Sequence, residues 1–244
     1  RAATTDAEVL VTGPYGSGIS KVAEVIHLSS PRSKAPFVKR AGEGLSPADL
    51  SDALAAAGGG SLFLDEVTHL PAQTQLTLIE ALENTAEVRL IAGSTHDLSA
   101  MVGEGRFHAD LYYRLEVMPV RIPSLAERPE DIPVLFRHYV EQAAEQAGLG
   151  VPEISSDHLA ALMAQDWPGN ARSLMSAAMR FVLGMPEDVA EATELGLSEQ
   201  LARVERALLI AALGRQNGHA SAAASALKLP RKTFYDKLAR YGIR

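Results

Sequence analysis

The sequence predicts an α/β fold, a parallel sheet with helices on both faces, followed by an all-α half that ends in a short helical module. Three observations predict it. Short apolar runs alternate with helical patterns up to about residue 132. From Pro133 onward only helical periodicity remains. Near the C-terminus an Ala-rich segment precedes a basic helix that starts at a proline.

The elements follow in order. Glu8–Thr12 is a first strand that feeds a Gly-rich turn. Val22, Val25 and Ile26 recur at helical spacing and predict an amphipathic helix. Pro36-Phe37-Val38 reads as a second strand. Ser46 before Pro47, with Asp49 in the first turn, marks an N-cap and a helix start. Ser61–Leu64 is a third strand, closed by Asp65-Glu66. Pro71–Leu82 is helical, with Leu76, Ile79 and Leu82 on one stripe. Val88–Ala92 and Val117–Ile122 supply the fourth and fifth strands. Helices are expected over 133–147, 156–165, 170–184 and 199–213, and the acidic stretch Pro186–Gly196 reads as a linker. The expected division is an α/β part at 1–132, a helical part at 133–185, a linker at 186–198 and a C-terminal module at 199–244.

Composition removes several function classes. The 244 residues include no Cys, which excludes disulfides, thiolate catalysis and Cys-ligated zinc. The seven His never fall at HxxxH spacing, so no metal site is expected. No apolar run reaches the ~20 residues of a membrane span, and no basic, apolar leader is present. A cytoplasmic location without a membrane partner is therefore expected. The chain starts at Arg1, not Met, so it is expected to be a piece of something longer.

The net charge of −7 argues against a nucleic-acid partner only until it is divided. Of 23 basic and 30 acidic residues, nine and two lie in residues 203–244, which gives that tail +7 and the remainder −14. The two acids are Glu205 and Asp236. An acidic body with a basic tail suggests an appended binding module, although a solvated helical face has the same composition.

Gly13-Pro-Tyr-Gly16-Ser-Gly18-Ile19-Ser20 nearly fits GxxxxGK[ST] between a strand and a helix. In a working phosphate loop the glycines let backbone N–H groups wrap the phosphates, the Lys neutralises them and the Ser or Thr binds magnesium. Here Ile19 stands at the Lys position. Lys21, two residues on, is rotated by roughly 200° and points away. An ordinary Gly-rich turn is the competing reading of this loop alone. About fifty residues later, Asp65 and Glu66 end an apolar strand. Such a pair can hold magnesium and polarise an attacking water in nucleotide hydrolases.

These residues, with Gly59–Glu66, Phe107–Leu115 (FHADLYYRL), Pro123–Ile132 (PSLAERPEDI) and Trp167–Arg172 (WPGNAR), resemble the AAA+ domain of the NtrC/DctD-type bacterial enhancer-binding proteins, activators of sigma-54 RNA polymerase. The last forty residues resemble the family's Fis-type helix-turn-helix, and their ending is similar to the dicarboxylate-transport branch. The resemblance covers nearly the whole chain. It implies an AAA+ P-loop-type sheet, a helical lid and a DNA-binding module.

The departures carry the functional expectation. The polymerase-contacting GAFTGA loop should lie between Leu45 and Gly58 and is missing. A second insertion is also lost, since Glu83–Glu87 leads directly into Val88. The Asn that restrains the catalytic Glu is Ala41, and the sensor Asn is Thr95, with GST in place of ATN. One trans-acting Arg is His108, while the second remains as Arg114 and the sensor Arg as Arg172. A trans-acting Arg alone is worth ~10³–10⁵ in rate. Asp65, Glu66 and Arg114 are therefore expected to be vestigial, with the two carboxylates capping the turn that follows.

The expected function is a DNA-binding regulator of response-regulator type that neither hydrolyses ATP nor activates sigma-54 polymerase. It requires no cofactor. Weak ATP or ADP binding, with magnesium, stays open at Gly13, Gly16, Gly18, Ser20 and Arg172. Two alternatives also stay open: a regulator that senses nucleotide without turnover, and a residual sigma-54 activator.

In the tail, Val204–Leu213 reads as a helix burying Val204, Leu208, Leu209 and Leu213, and His219–Leu227 as a short second helix. Arg231–Tyr241 is the candidate recognition helix, with Phe234, Leu238 and Tyr241 inward. Arg231, Thr233 and Tyr235 are expected in the groove, and Lys232, Lys237 and Arg240 at phosphates. An ordinary three-helix motif with a basic face is the competing reading. Expected partners are double-stranded DNA with an inverted-repeat site and a second copy as a homodimer. An upstream receiver domain and RNA polymerase are further candidates.

Overall fold

The computed structural model describes residues 2–84, 87–185 and 197–243. Two compact units divide the chain, Arg1–Ile122 and Pro123–Arg244.

The first unit is built on five parallel strands: β1 (Val9–Thr12), β2 (Phe37–Ala41), β3 (Ser61–Asp65), β4 (Arg89–Ser94) and β5 (Pro119–Arg121). Their order across the sheet is β2-β3-β4-β1-β5. Side chains alternate between the two faces of each strand. Val9, Val11, Phe63 and Ile91 therefore pack beneath helix α1 (Ile19–Leu28). Leu10, Leu62, Leu64, Leu90 and Ala92 face the opposite core. That core holds residues of α2 (Pro47–Ala56), α3 (Ala72–Asn84), α4 (Leu98–Gly103) and α5 (Ala109–Leu115). A parallel sheet needs both faces covered, and this division supplies both layers.

The predicted start of α2 is present. Ser46 and Asp49 form a reciprocal capping box, with Pro47 in the first turn. Two predicted stripes differ. In α3, Ile79 and Leu82 pack half-buried on the core as expected, but Leu76 is exposed and Thr74, Gln75 and Leu78 are buried. The two polar residues are satisfied inside. Thr74 donates to the Leu45 carbonyl at 2.6 Å and Gln75 to the Leu70 carbonyl at 3.0 Å. Likewise Val25 is half exposed, while α1 buries Ile19, Ala23, Ile26 and His27. His27 Nδ1 sits 2.9 Å from Ser61 Oγ. Satisfied polar residues on an inner face disguise its period. Helices α4 and α5, too short to show one, were not expected from periodicity.

In the second unit, 3-10 turns at Leu125–Glu127 and Pro129–Asp131 lead into α6 (Ile132–Ala147), α7 (Ser156–Met163) and α8 (Asn170–Val182). These pack around Phe136, Leu162, Trp167 and Leu174. Then come α9 (Leu197–Arg215), α10 (Ala220–Ala226) and α11 (Arg231–Arg240). The first of these turns packs on α9, and the second on both α6 and α9. Arg215 pairs with Glu130. The last module closes on Leu209, Ala212, Ala223, Ala224, Phe234 and Leu238. Leu208 and Leu213 are only half buried. The side chain of Val204 and residues 186–196 of the expected linker lie outside the described residues. Among the described residues no helix is long and apolar enough to cross a membrane.

Candidate nucleotide pocket and nucleic-acid interface

The Gly-rich loop joins β1 to α1 at the C-terminal edge of the sheet. Gly16 (φ 75°) and Gly18 (φ 97°) occupy the left-handed region that side chains disfavour. Gly18 is the N-cap of α1 and supplies no side-chain cap, so the first-turn N–H groups stay open. Ser17 Oγ is buried in this loop without a hydrogen-bond partner. Gly13 donates its N–H to the Ser94 carbonyl at 3.3 Å, which ties the loop to β4. The resulting geometry suits an anion.

Ile19 turns away from that cradle. It is 8% exposed and packs with Val9, Phe63 and Ile91 under the sheet. A Cβ added at Gly93 would lie 2.7 Å from Ile19 Cγ2. The Gly of GST, where the resemblance expects the Ala of ATN, thus makes room for the Ile at the Lys position. The two departures form one packing unit. Lys21 is directed to Glu24 at 3.1 Å, as its rotation on the helix predicts.

Glu66 is held more tightly than expected. It adopts φ 52° just after β3. Its Oε1 accepts from Thr68 Oγ1 at 2.6 Å and from Ser94 Oγ at 3.0 Å, with His96 Nδ1 at 3.2 Å. Its Oε2 accepts from the Thr95 N–H at 3.0 Å and from Thr95 Oγ1 at 2.5 Å. Burial pushes the carboxyl pKa up, but the hydrogen bonds from Thr68, Thr95 and His96 outweigh it and lower the pKa from 4.5 to about 2. A carboxylate so weakly basic is poorly matched to proton abstraction near neutral pH. The expected cap of the following turn is not made. The Glu66 carboxylate bonds no backbone N–H of Val67–His69 and is held instead by the Thr68 hydroxyl and by Ser94 and Thr95 at the end of β4. Asp65 caps nothing either: it is exposed, and its carboxylate has no partner among the described residues.

Arg114 is engaged within its own unit. It donates to the Leu82 carbonyl at 2.9 Å and lies 3.7 Å from Glu8 and 3.9 Å from Glu83. His108 occupies the N-cap position of α5 without a side-chain cap, and its backbone N–H donates to Gln75 Oε1 at 2.9 Å. From Ala41 to Ser61 the chain forms only α2 and short turns, so no protruding loop stands where GAFTGA would lie. The WPGNAR segment is architectural: Trp167 Nε1 donates to the Leu162 carbonyl at 2.9 Å and Asn170 accepts from the Leu125 N–H at 2.9 Å. Arg172 is exposed in the first turn of α8, in the second unit, while Gly13, Gly16, Gly18 and Ser20 belong to the first.

In the C-terminal module, α11 rests on Phe234 (0% exposed) and Leu238. Arg231, Lys232, Tyr235 and Arg240 are exposed on its outer side, and Thr233 is half buried. Lys237 departs from expectation. Its ammonium pairs with Glu205 on α9, and its side chain is only 25% exposed. Tyr241 Oη donates to the same carboxylate at 2.6 Å. Those two hydrogen bonds hold the Glu205 pKa below the ordinary carboxylate value. Sequence reasoning missed Glu205 as the clamp of this helix. The available signal was its position as one of two acids in a basic tail.

A family model described as the sigma-54 interaction domain matches residues 1–125, half of the chain. The chain belongs to the sigma-54-dependent regulator family. An AAA+ ATPase lid domain matches residues 126–207, and a bacterial regulatory protein domain of the Fis family matches residues 200–241. The C4-dicarboxylate transport transcriptional regulatory protein DctD of Pseudomonas aeruginosa is 36% identical over 280 residues, covering 99% of this chain and 60% of its own. ZraR of Escherichia coli K12 is 33% identical, covering 98% and 64%. The crystal structure of NtrX from Brucella abortus in complex with ATP superimposes with a TM-score of 0.74 at 31% identity, covering 99% of this chain and 66% of that one. A complex of the same NtrX with ADP gives 0.72. The chain thus spans about three fifths of the DctD relative.

Proposed function

We propose that this chain is a DNA-binding transcriptional regulator whose AAA+ body does not hydrolyse ATP and does not drive sigma-54 polymerase. The observation that carries the DNA-binding reading is α11, with an outer side of Arg231, Lys232, Tyr235 and Arg240 above a closed apolar core. Arg231, Thr233 and Tyr235 lie at the helix start, where a recognition helix meets base edges. Lys232 and Arg240 bind phosphates, and Lys237 positions the helix through Glu205. The module reads an inverted repeat as a homodimer.

The salt dependence of DNA binding tests these assignments. Lys232→Ala and Arg240→Ala each flatten the slope of log K against log salt by about 0.9. Lys237→Ala leaves the slope unchanged and lowers affinity for all sequences alike. Unchanged slopes for Lys232→Ala and Arg240→Ala contradict the interface. A flattened slope for Lys237→Ala places that residue on a phosphate.

The silent ATPase reading is supported by Ile19 in the core, Glu66 held by its hydrogen bonds and Arg114 engaged by Leu82, Glu8 and Glu83. A second reading, nucleotide binding without turnover, is favoured by the open glycine cradle and the buried, unpartnered Ser17 hydroxyl. The ATP and ADP complexes of NtrX are consistent with it. A ligand that favours one conformation of the body would then shift the activity of the DNA-binding module.

A further inference from the structure

The pocket holds a cation that no motif assigns. Lys39 lies on β2 opposite Phe63, and Phe63 faces α1. Its side chain is therefore directed to the α1 face of the sheet. Its Nζ donates to Ser20 Oγ at 3.2 Å and lies 5.4 Å from the Phe37 ring centroid. Ser20 stands in the first turn of α1, directly after the glycine cradle.

The residues present fit a phosphate and do not fit a divalent metal. Open N–H groups, two left-handed glycines and the orphaned Ser17 hydroxyl offer donors to an anion. Magnesium needs near-ideal octahedral oxygen ligands and sheds its waters reluctantly. Ser20 Oγ, the oxygen that would take a place in that shell, already accepts from an ammonium. A divalent ion at Ser20 would sit against a like charge, with Asp65 the only other motif donor left to offset it. Ile19 and Lys21 supply no competing cation, because one is in the core and the other is paired to Glu24.

We propose that Lys39 takes the place of both the missing loop lysine and the metal, so that this pocket binds nucleoside di- or triphosphate without a divalent cation. The proposal rests on the nucleotide-binding reading above and adds its chemistry. The charge arrives from the neighbouring strand instead of from the loop, and it contacts the phosphates without a bound metal to organise them for transfer.

Calorimetric titration of the 244-residue chain with ADP, in excess magnesium and in excess EDTA, tests it. The expected dissociation constants agree within about twofold. Lys39→Ala weakens ADP binding in EDTA by about tenfold or more, the loss expected for one charge-assisted hydrogen bond. Lys39→Arg retains most of the affinity. Circular dichroism of the ligand-free Lys39→Ala variant matches the parent, since Lys39 is exposed on an edge strand. Binding that disappears in EDTA, or that Lys39→Ala leaves intact, overturns the role of Lys39. A parent chain that binds ADP in neither buffer overturns the nucleotide reading itself, before any substitution is made.

Discussion

Glu66→Gln destabilises the α/β unit by roughly 2–3 kcal/mol, a loss comparable to the charge-assisted hydrogen bonds it removes. In an active hydrolase the same substitution is silent in stability and severe in rate. Here the reverse is expected, because Glu66 serves as an acceptor. Both carboxylate oxygens are occupied, and an amide in their place turns a donor toward Thr95 or toward Thr68 and Ser94. Acid produces the same loss in the parent. Folding lowers the Glu66 pKa from 4.5 to about 2. Its contribution is therefore complete above pH 4.5 and fades as pH falls from 4.5 through about 2. The full difference is about 3 kcal/mol. Denaturant unfolding at pH 7 and near pH 3 measures it. The gap between parent and variant narrows by about 2 kcal/mol between pH 7 and pH 3 and closes only below about pH 2, whereas a constant gap at every pH would rule out the carboxylate as the cause.

Phe234→Ala costs about 3–5 kcal/mol, the usual loss for removing a fully buried aromatic ring. The C-terminal module is small, and a core of this size supplies only about that much. The variant therefore unfolds the module and abolishes DNA binding, while nucleotide affinity in the first unit stays as in the parent. Phe234→Leu keeps most of the volume and most of the binding. Fluorescence anisotropy with a labelled DNA duplex gives the affinities, and scanning calorimetry shows whether one thermal step moves while another remains. Parent-like DNA binding by Phe234→Ala would mean that α11 does not depend on this core.

The alternation of strands and helices follows from patterns that the chain displays openly, while the order of strands across the sheet does not. Apolar runs at Val9–Thr12, Ser61–Asp65 and Arg89–Ser94 alternate with helices, and Ser46-Pro47 announces a capped start. Ile19 and Thr95 are legible as the residues standing where the resemblance expects the loop lysine and the sensor Asn. Their consequences are not legible. That Ile19 lies against Gly93 depends on a contact between α1 and β4, far apart in sequence. That Glu66 is locked depends on β3 lying beside β4, which brings Ser94 and Thr95 to a carboxylate 28 and 29 residues away. Lys39 reads as one more exposed strand residue until β2 is placed at the sheet edge next to β3. Lys237 reads as a surface cation because its partner, Glu205, is 32 residues upstream. A helix face can be counted from one sequence, but the charge that meets it comes from another element.

The central claim is that an ATPase fold here holds its parts in an arrangement that does not turn over nucleotide. Steady-state phosphate release by the purified chain at saturating ATP and magnesium tests it most directly, with Glu66→Gln measured alongside. The expected result is release no faster than in buffer for both proteins. ATP turnover by the parent above the buffer rate would contradict the account, and its loss in a Glu66→Gln sample shown by circular dichroism to be folded would assign that turnover to Glu66.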